Sequence, residues 1–415
     1  MAKTMPDFRS FLDENQAVEL LRGAVARESI TGNEANFVDY LQSEMSARQL
    51  GPFVEEFLPG RPNIFGKRQG NGGGSNLLFI GHTDVVHVEG WREHWQGDQR
   101  EDPFGGAIID GEMWGRGTGD LKGGICTSLA ALDLIDKAGI TLKGDVSYAF
   151  IGDEESGEEG TGISAGIDHL TQSQEFLDGH QPDFAVYVEP TQLQVFPAQM
   201  GFFIADISIK GKTAYFGVPE QGIDALKASH RVMKEIWDLS DQMGAAAHHD
   251  LVGDAFILIT KIEGGGYIAV PGECKLSLIC KVLPGQSLDE AVAALEAAIE
   301  RGIADTGCSF DISYPAGRDH TFGGSPTDID RSNPAIAQLS QALAASMPER
   351  GTVNGAPYWS EAPFLIERLG CPTVYCAPGN IANCHTLEER ISINEYLAGI
   401  TAFAAFIVRY CGTVE

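Results

Sequence analysis

The feature that most constrains this chain is a set of short apolar runs that each stop at a His or at acids. Residues 77–81 end at His82-Thr83-Asp84, residues 146–151 at Asp153-Glu154-Glu155, and residues 184–188 at Glu189-Pro190. Runs of five or six apolar residues suit strands buried on both faces. A helical pattern over 123–138 lies between two of them, and two more cover 17–25 and 37–45. Strand-like pieces lie at 54–57 and 63–67, and the run Gly72–Gly74 reads as a loop tip. Strands alternating with helices predict an α/β fold with a mixed, largely parallel sheet and helices on both faces. The polar residues then fall just beyond the carboxyl ends of the strands, where open α/β sheets bind ligands.

The rhythm changes in the middle of the chain. Strands are expected at 203–210, 255–262, 274–283 and 310–314, with helices at 222–241 and 288–303. That order, β-α-β-β-α-β, is the ferredoxin-like split unit. The α/β pattern resumes with a helix at 334–345, a strand at 373–376 and a helix at 395–410. Three segments follow: 1–198 and 316–415 form one α/β domain, and 199–315 an inserted α+β lid.

The chain has 415 residues, 43% of them hydrophobic and 21% charged, with a net charge of −29. That composition supports a full core and excludes a disordered chain. So acidic a chain lacks the clustered Lys and Arg that phosphate backbones require, which argues against nucleic acid and anionic membranes as partners. The N-terminus has no apolar signal region and no apolar run is long enough to span a bilayer, so a cytoplasmic protein is expected. The eight cysteines form no C-x-x-C pair, and most sit in apolar stretches, as buried free thiols would.

The candidate chemistry is distributed over five motifs: His82-Thr-Asp84, Gly119-Asp120-Leu-Lys-Gly-Gly, Glu154-Glu155, Glu189-Pro190 and Cys384-His385-Thr386. Two His and several carboxylates at strand ends suit a hydrolytic site for zinc, manganese or cobalt, with N and O ligands and no thiolate. One bridging carboxylate would hold two ions about 3.5–4 Å apart, and a carboxylate off the metal could move the water's proton. Any one of these residues alone reads better as a solvated loop-tip acid. There is no P-loop, H-E-x-x-H or G-x-S-x-G, and Gly115-x-Gly117-x-Gly119 is not a dinucleotide fingerprint.

These motifs, with Trp114-Gly-Arg-Gly and Ser360-Glu361-Ala362-Pro363-Phe364, resemble the metallopeptidases that include acetylornithine deacetylase, succinyl-diaminopimelate desuccinylase, aminoacylase and carboxypeptidase G. The resemblance covers nearly the whole chain. It implies a catalytic domain built from both chain ends, a lid that commonly dimerises, and one or two divalent ions per subunit. By the same resemblance His82 and Glu189 would hold the first metal, and Glu155 and His385 the second. Asp120 would bridge, Glu154 would be the general base and acid, and Asp84 would hydrogen-bond the far nitrogen of His82.

The lid departs from the pattern. The family's oxyanion His is Tyr215 here, its Asn before the next turn is Ile268, and its carboxylate-pairing Arg is Lys281. A Tyr hydroxyl still donates, Ile268 does not, and Lys281 keeps the charge without the bidentate fork. The primary expectation is hydrolysis of an N-acyl amino acid or related small amide by metal-activated water. The alternative is an aminohydrolase releasing ammonia from a non-peptide C–N bond, such as that of an aromatic amine. A non-catalytic binding protein on the same scaffold is disfavoured by the complete ligand set. His248 or His249 serving in place of Tyr215 is the simple alternative to a rebuilt lid. The long segment between Asp84 and Asp120, with Trp91, His94 and Trp95, reads as a packed surface loop.

Overall fold

In the computed structural model, residues 5–155 and 160–414 are described. The chain divides into two compact units. The first comprises Met1–Pro197, Ile329–Gly355 and Phe364–Glu415, and the second Ala198–Asp328 and Ala356–Pro363.

The first unit is the α/β domain expected. Four strands run parallel in its centre, in the order Val146–Ile151, Leu77–His82, Phe184–Tyr187 and Thr373–Tyr375. Antiparallel strands flank them, with Arg61–Arg68 and then Phe53–Leu58 on one side and Val195–Gln199 on the other. The central strands are buried along their full length, which is why they read as apolar runs without alternation. Helix Gly123–Lys137 is buried on almost every side. Its Gly124 lies so close to the neighbouring strand end that a Cβ there would stand 2.2 Å from the Val188 carbonyl oxygen, so the Gly-Gly start is a packing requirement. Helix Ile393–Cys411 packs against the sheet through Phe403, whose ring centroid is 5.2 Å from that of Phe79.

The second unit has the ferredoxin-like topology. Strands Phe256–Gly264, Glu273–Val282, Gly201–Lys210 and Ser309–Ser313 lie side by side in that order, all antiparallel. Phe203, Ala205, Ile207 and Ile209 alternate inward and meet Val232 and Ile236 of helix Ala225–Ala246 and Leu295 and Ile299 of helix Leu288–Ile303. This unit runs past residue 315, because Gly323–Gly324 pairs with Phe202 and Phe203. A two-residue strand carries no periodicity, so that extension is invisible in the sequence.

His180 is a buried base that supports the first unit. Its ring stacks on Phe176 and meets Phe65 edge-on, with Nδ1 2.9 Å from the Ser147 hydroxyl. Burial, aided by the charge of Lys67, pushes its pKa from 6.5 down to about 4. The unfolded chain therefore takes up a proton between pH 6.5 and 4 that the folded chain refuses, and stability falls as pH falls through that window. At pH 5 the loss is about 2 kcal/mol. Denaturant unfolding at pH 7.5 and pH 5 should show this difference shrinking by about that amount in His180→Phe; an unchanged difference would count against it.

Candidate metal centre

His82 is the last residue of its strand and is 1% exposed. Its Nδ1 lies 2.9 Å from the backbone carbonyl oxygen of Asp84. A carbonyl only accepts, so Nδ1 carries a proton and Nε2 is turned toward the site. The family resemblance assigns this task to the Asp84 carboxylate, whereas here the main-chain oxygen of Asp84 makes the hydrogen bond. That carboxylate is 3.8 Å from Nδ1. It accepts instead from the amides of Glu155 at 2.9 Å and Glu154 at 3.3 Å, and from the Thr31 hydroxyl at 3.1 Å. Burial raises its pKa to about 7. Asp84 thus fixes the ring through its main chain and the Glu154-Glu155 turn through its side chain.

Asp120 sits in the tight turn Thr118–Lys122, which Gly117 enters at φ 82°, a conformation that favours glycine. Its two oxygens face opposite ways. Oδ1 is 3.1 Å from His82 Nε2, and Oδ2 is 3.2 Å from His385 Nε2. Glu155 Oε1 lies 2.7 Å from His385 Nε2, and Glu189 Oε1 3.8 Å from His82 Nε2. Glu154 Oε2 is 4.0 Å from His82 Nε2. All six residues belong to the first unit. Asp153 and His385 adopt left-handed backbone conformations, at φ 75° and 58°. Such residues cost roughly 1–3 kcal/mol each and persist where their surroundings dictate them.

Carboxylates and imidazoles shift one another's protonation within the cluster. Burial disfavours a charged His82, yet the Asp120 hydrogen bond and the charges of Glu189 and Glu154 raise its pKa well above 6.5. Hydrogen bonds to Asp120 and Glu155 push His385 up to about 11. The same two imidazoles hold Asp120 well below the usual carboxylate range, against the effect of burial. Donor atoms of His82, Asp120 and Glu189 lie within 4.8 Å of one another, as do those of Asp120, Glu155 and His385, and those of His82, Glu154 and Glu155. The donors are N and O only. The nearby Cys384 sulfur is 3.4 Å from the Asn380 carbonyl oxygen. The set fits zinc, manganese or cobalt.

Behind the ligands lies a layer the sequence reading missed. Asp153 accepts from the amides of Gly162, Ile163 and Ala165 and pairs with Arg61, which also pairs with the buried Glu34. Trp91 donates to the Arg100 carbonyl and Trp95 to the Leu387 carbonyl, two residues past His385. The segment after Asp84 is therefore a packed loop that braces the His385 segment.

Tyr215, Ile268 and Lys281 lie in the second unit. Tyr215 bridges to Ala269, so it is next to Ile268, and both side chains are well exposed. Lys281 is near the far end of strand Glu273–Val282, about 26 Å along it at ~3.3 Å per residue. The structure does not bring it to the other two: its ammonium donates to the Val252 carbonyl oxygen. His248 pairs with Asp254 and His249 with Asp328.

The profile of peptidase family M20/M25/M40 matches residues 78–409. The chain belongs to that family. Acetylornithine deacetylase of Vibrio campbellii is 26% identical over 412 residues, covering 95% of this chain and 98% of that protein. N-formyl-4-amino-5-aminomethyl-2-methylpyrimidine deformylase of Bacillus subtilis is 24% identical, covering 88% and 87%. Among solved structures, aminopeptidase PepT of Bacillus cereus superposes with a TM-score of 0.76 at 17% identity, over 96% of this chain and 100% of that one. This M20 member is a metal-dependent hydrolase of carbon–nitrogen bonds.

Manganese, zinc or cobalt should raise the thermal midpoint of this M20 protein, and chelation should lower it. An ion at 100 times its Kd stabilises by about 2.7 kcal/mol, a shift of several degrees. Asp120→Ala should abolish that shift; calorimetry showing no response to any of the three ions would refute the site.

Proposed function

We propose that the protein deacylates an N-acyl amino acid or a related small amide at a two-ion centre. The observation that carries this is Asp120, whose two oxygens each face a different His. His82, Asp120 and Glu189 would hold one ion, and Asp120, Glu155 and His385 the other. When bound, the ions supply an activated water and polarise the scissile carbonyl. Glu154, with 12% of its side chain exposed beside the cluster, takes a proton from the attacking water and delivers it to the leaving nitrogen. His82, oriented by the Asp84 carbonyl, keeps Nε2 available as a ligand. The deacetylase and deformylase relatives support small-amide chemistry.

A second reading follows from the second unit. Tyr215, Phe216, Tyr267 and Ile268 form an exposed aromatic and apolar surface on neighbouring loops. Apart from the Tyr215 and Tyr267 hydroxyls, these side chains offer no hydrogen-bond donor. Attack of water on an electron-poor ring carbon, with loss of ammonia, needs no donor at the usual acyl oxygen. Lys281 would then contribute charge at most at a distance from this surface.

For assembly we propose a homodimer formed through the second unit. Strand Phe256–Gly264 is a sheet edge with Phe256, Leu258 and Ile262 exposed, and Trp237 is exposed on helix Ala225–Ala246. Among the described residues no helix is long and apolar enough to cross a membrane. All eight cysteines are free, which supports the cytoplasm as the compartment.

Glu154→Gln should lower turnover about 10²–10⁴-fold while manganese affinity, read by calorimetric titration, stays within a few-fold; wild-type turnover would refute its role. Acid release from N-acyl amino acids by the metal-loaded enzyme is the expected result of a substrate panel. Ammonia release from an aminobenzoate, with acyl compounds inert, would replace the first reading with the second.

A further inference from the structure

We infer that Glu389 is a positioning residue that sets the spacing between Asp120 and His385, and through it the affinity of both metal ions. This rests on the reading of Asp120 as the bridging ligand. Glu389 is 1% exposed, and its carboxylate accepts from main-chain amides and the Arg116 guanidinium. Its Oε1 accepts from three main-chain amides of the one turn that carries Asp120: those of Gly117 at 2.9 Å, Gly119 at 3.2 Å and Asp120 at 3.1 Å. Converging amides of this kind form an anion-binding concavity. Its Oε2 pairs with Arg116 at 2.5 Å, and Arg116 donates onward to the His87 carbonyl. The Glu389 carbonyl also accepts from the Gly115 amide at 3.1 Å.

The consequence is geometric. Glu389 is four residues beyond His385 on the same segment, and that segment continues into strand Arg390–Ser392, which pairs with Glu112–Trp114. One carboxylate therefore ties the turn that carries Asp120 to the segment that carries His385, where the two ligands approach to 3.2 Å. An acid with no metal of its own is kept buried because three main-chain donors and a guanidinium meet its charge. Had it only a structural task, its loss would lower stability without moving the affinity of the ions.

The test is manganese titration of the full-length wild type, Glu389→Gln, Glu389→Ala and Asp120→Ala, alongside apo-protein melting. Gln keeps one acceptor oxygen. It should weaken manganese binding about 10-fold, and Ala about 100-fold, the range known for residues behind metal ligands. Wild-type affinity in either folded Glu389 variant overturns the proposal. If Asp120→Ala also binds normally, the metal-centre reading has failed and the proposal falls with it. Hydrogen exchange on the metal-free wild type needs no variant: the amides of Gly117, Gly119 and Asp120 should be protected before any ion is added. Exchange at open-chain rates there overturns the proposal even if both variants fail to fold.

Discussion

The candidate metal centre rests on one electrostatic conflict. Four carboxylates and two imidazoles are pressed into one cluster, with carboxylate oxygens of Asp120 and Glu189, of Asp120 and Glu155, and of Glu154 and Glu155 each within 4.8 Å of one another. In a protein interior like charges at such distances repel strongly. Hydrogen bonds and charge from these carboxylates are why both imidazoles have raised pKa values. A divalent ion would answer the conflict, and the proposed bridging role of Asp120 would let two ions do so.

Such a cluster survives only if the backbone beneath it does not relax. A shared device supplies the rigidity: a buried carboxylate accepting several main-chain amides. Asp84 holds the turn of Glu154 and Glu155, Asp153 holds the segment at 162–165, and Glu389 holds the turn of Asp120. The left-handed conformations of Asp153 and His385 sit within this framework. Parallel strands provide the base, since their carboxyl ends bring His82, Glu155 and Glu189 to one side of the sheet.

Much of this is legible in the sequence. The doubly buried strands appear as apolar runs, and each ends where a polar residue interrupts it, so His82, the Glu154-Glu155 pair and Glu189 stand out. The ferredoxin-like unit is legible because its strands alternate and its helices are long. The supporting layer is not. Glu389, Arg116, Glu34 and Arg61 are ordinary charged residues in sequence, and only the folded chain shows that they are buried and paired. The resemblance points to the Asp84 carboxylate for the His82 ring, but which Asp84 oxygen makes the hydrogen bond is set by the backbone, and here it is the main-chain one. Lys281 stands at a motif position, and its place near the end of strand Glu273–Val282, with its ammonium on the Val252 carbonyl, is set by the fold alone.

The central claim is that Asp120 joins two ion sites. Crystallographic anomalous scattering from the manganese-loaded protein tests it most directly. The account predicts two ions per chain, about 3.5–4 Å apart, with one Asp120 oxygen on each. A single ion, or two ions with Asp120 turned away from either, would contradict it.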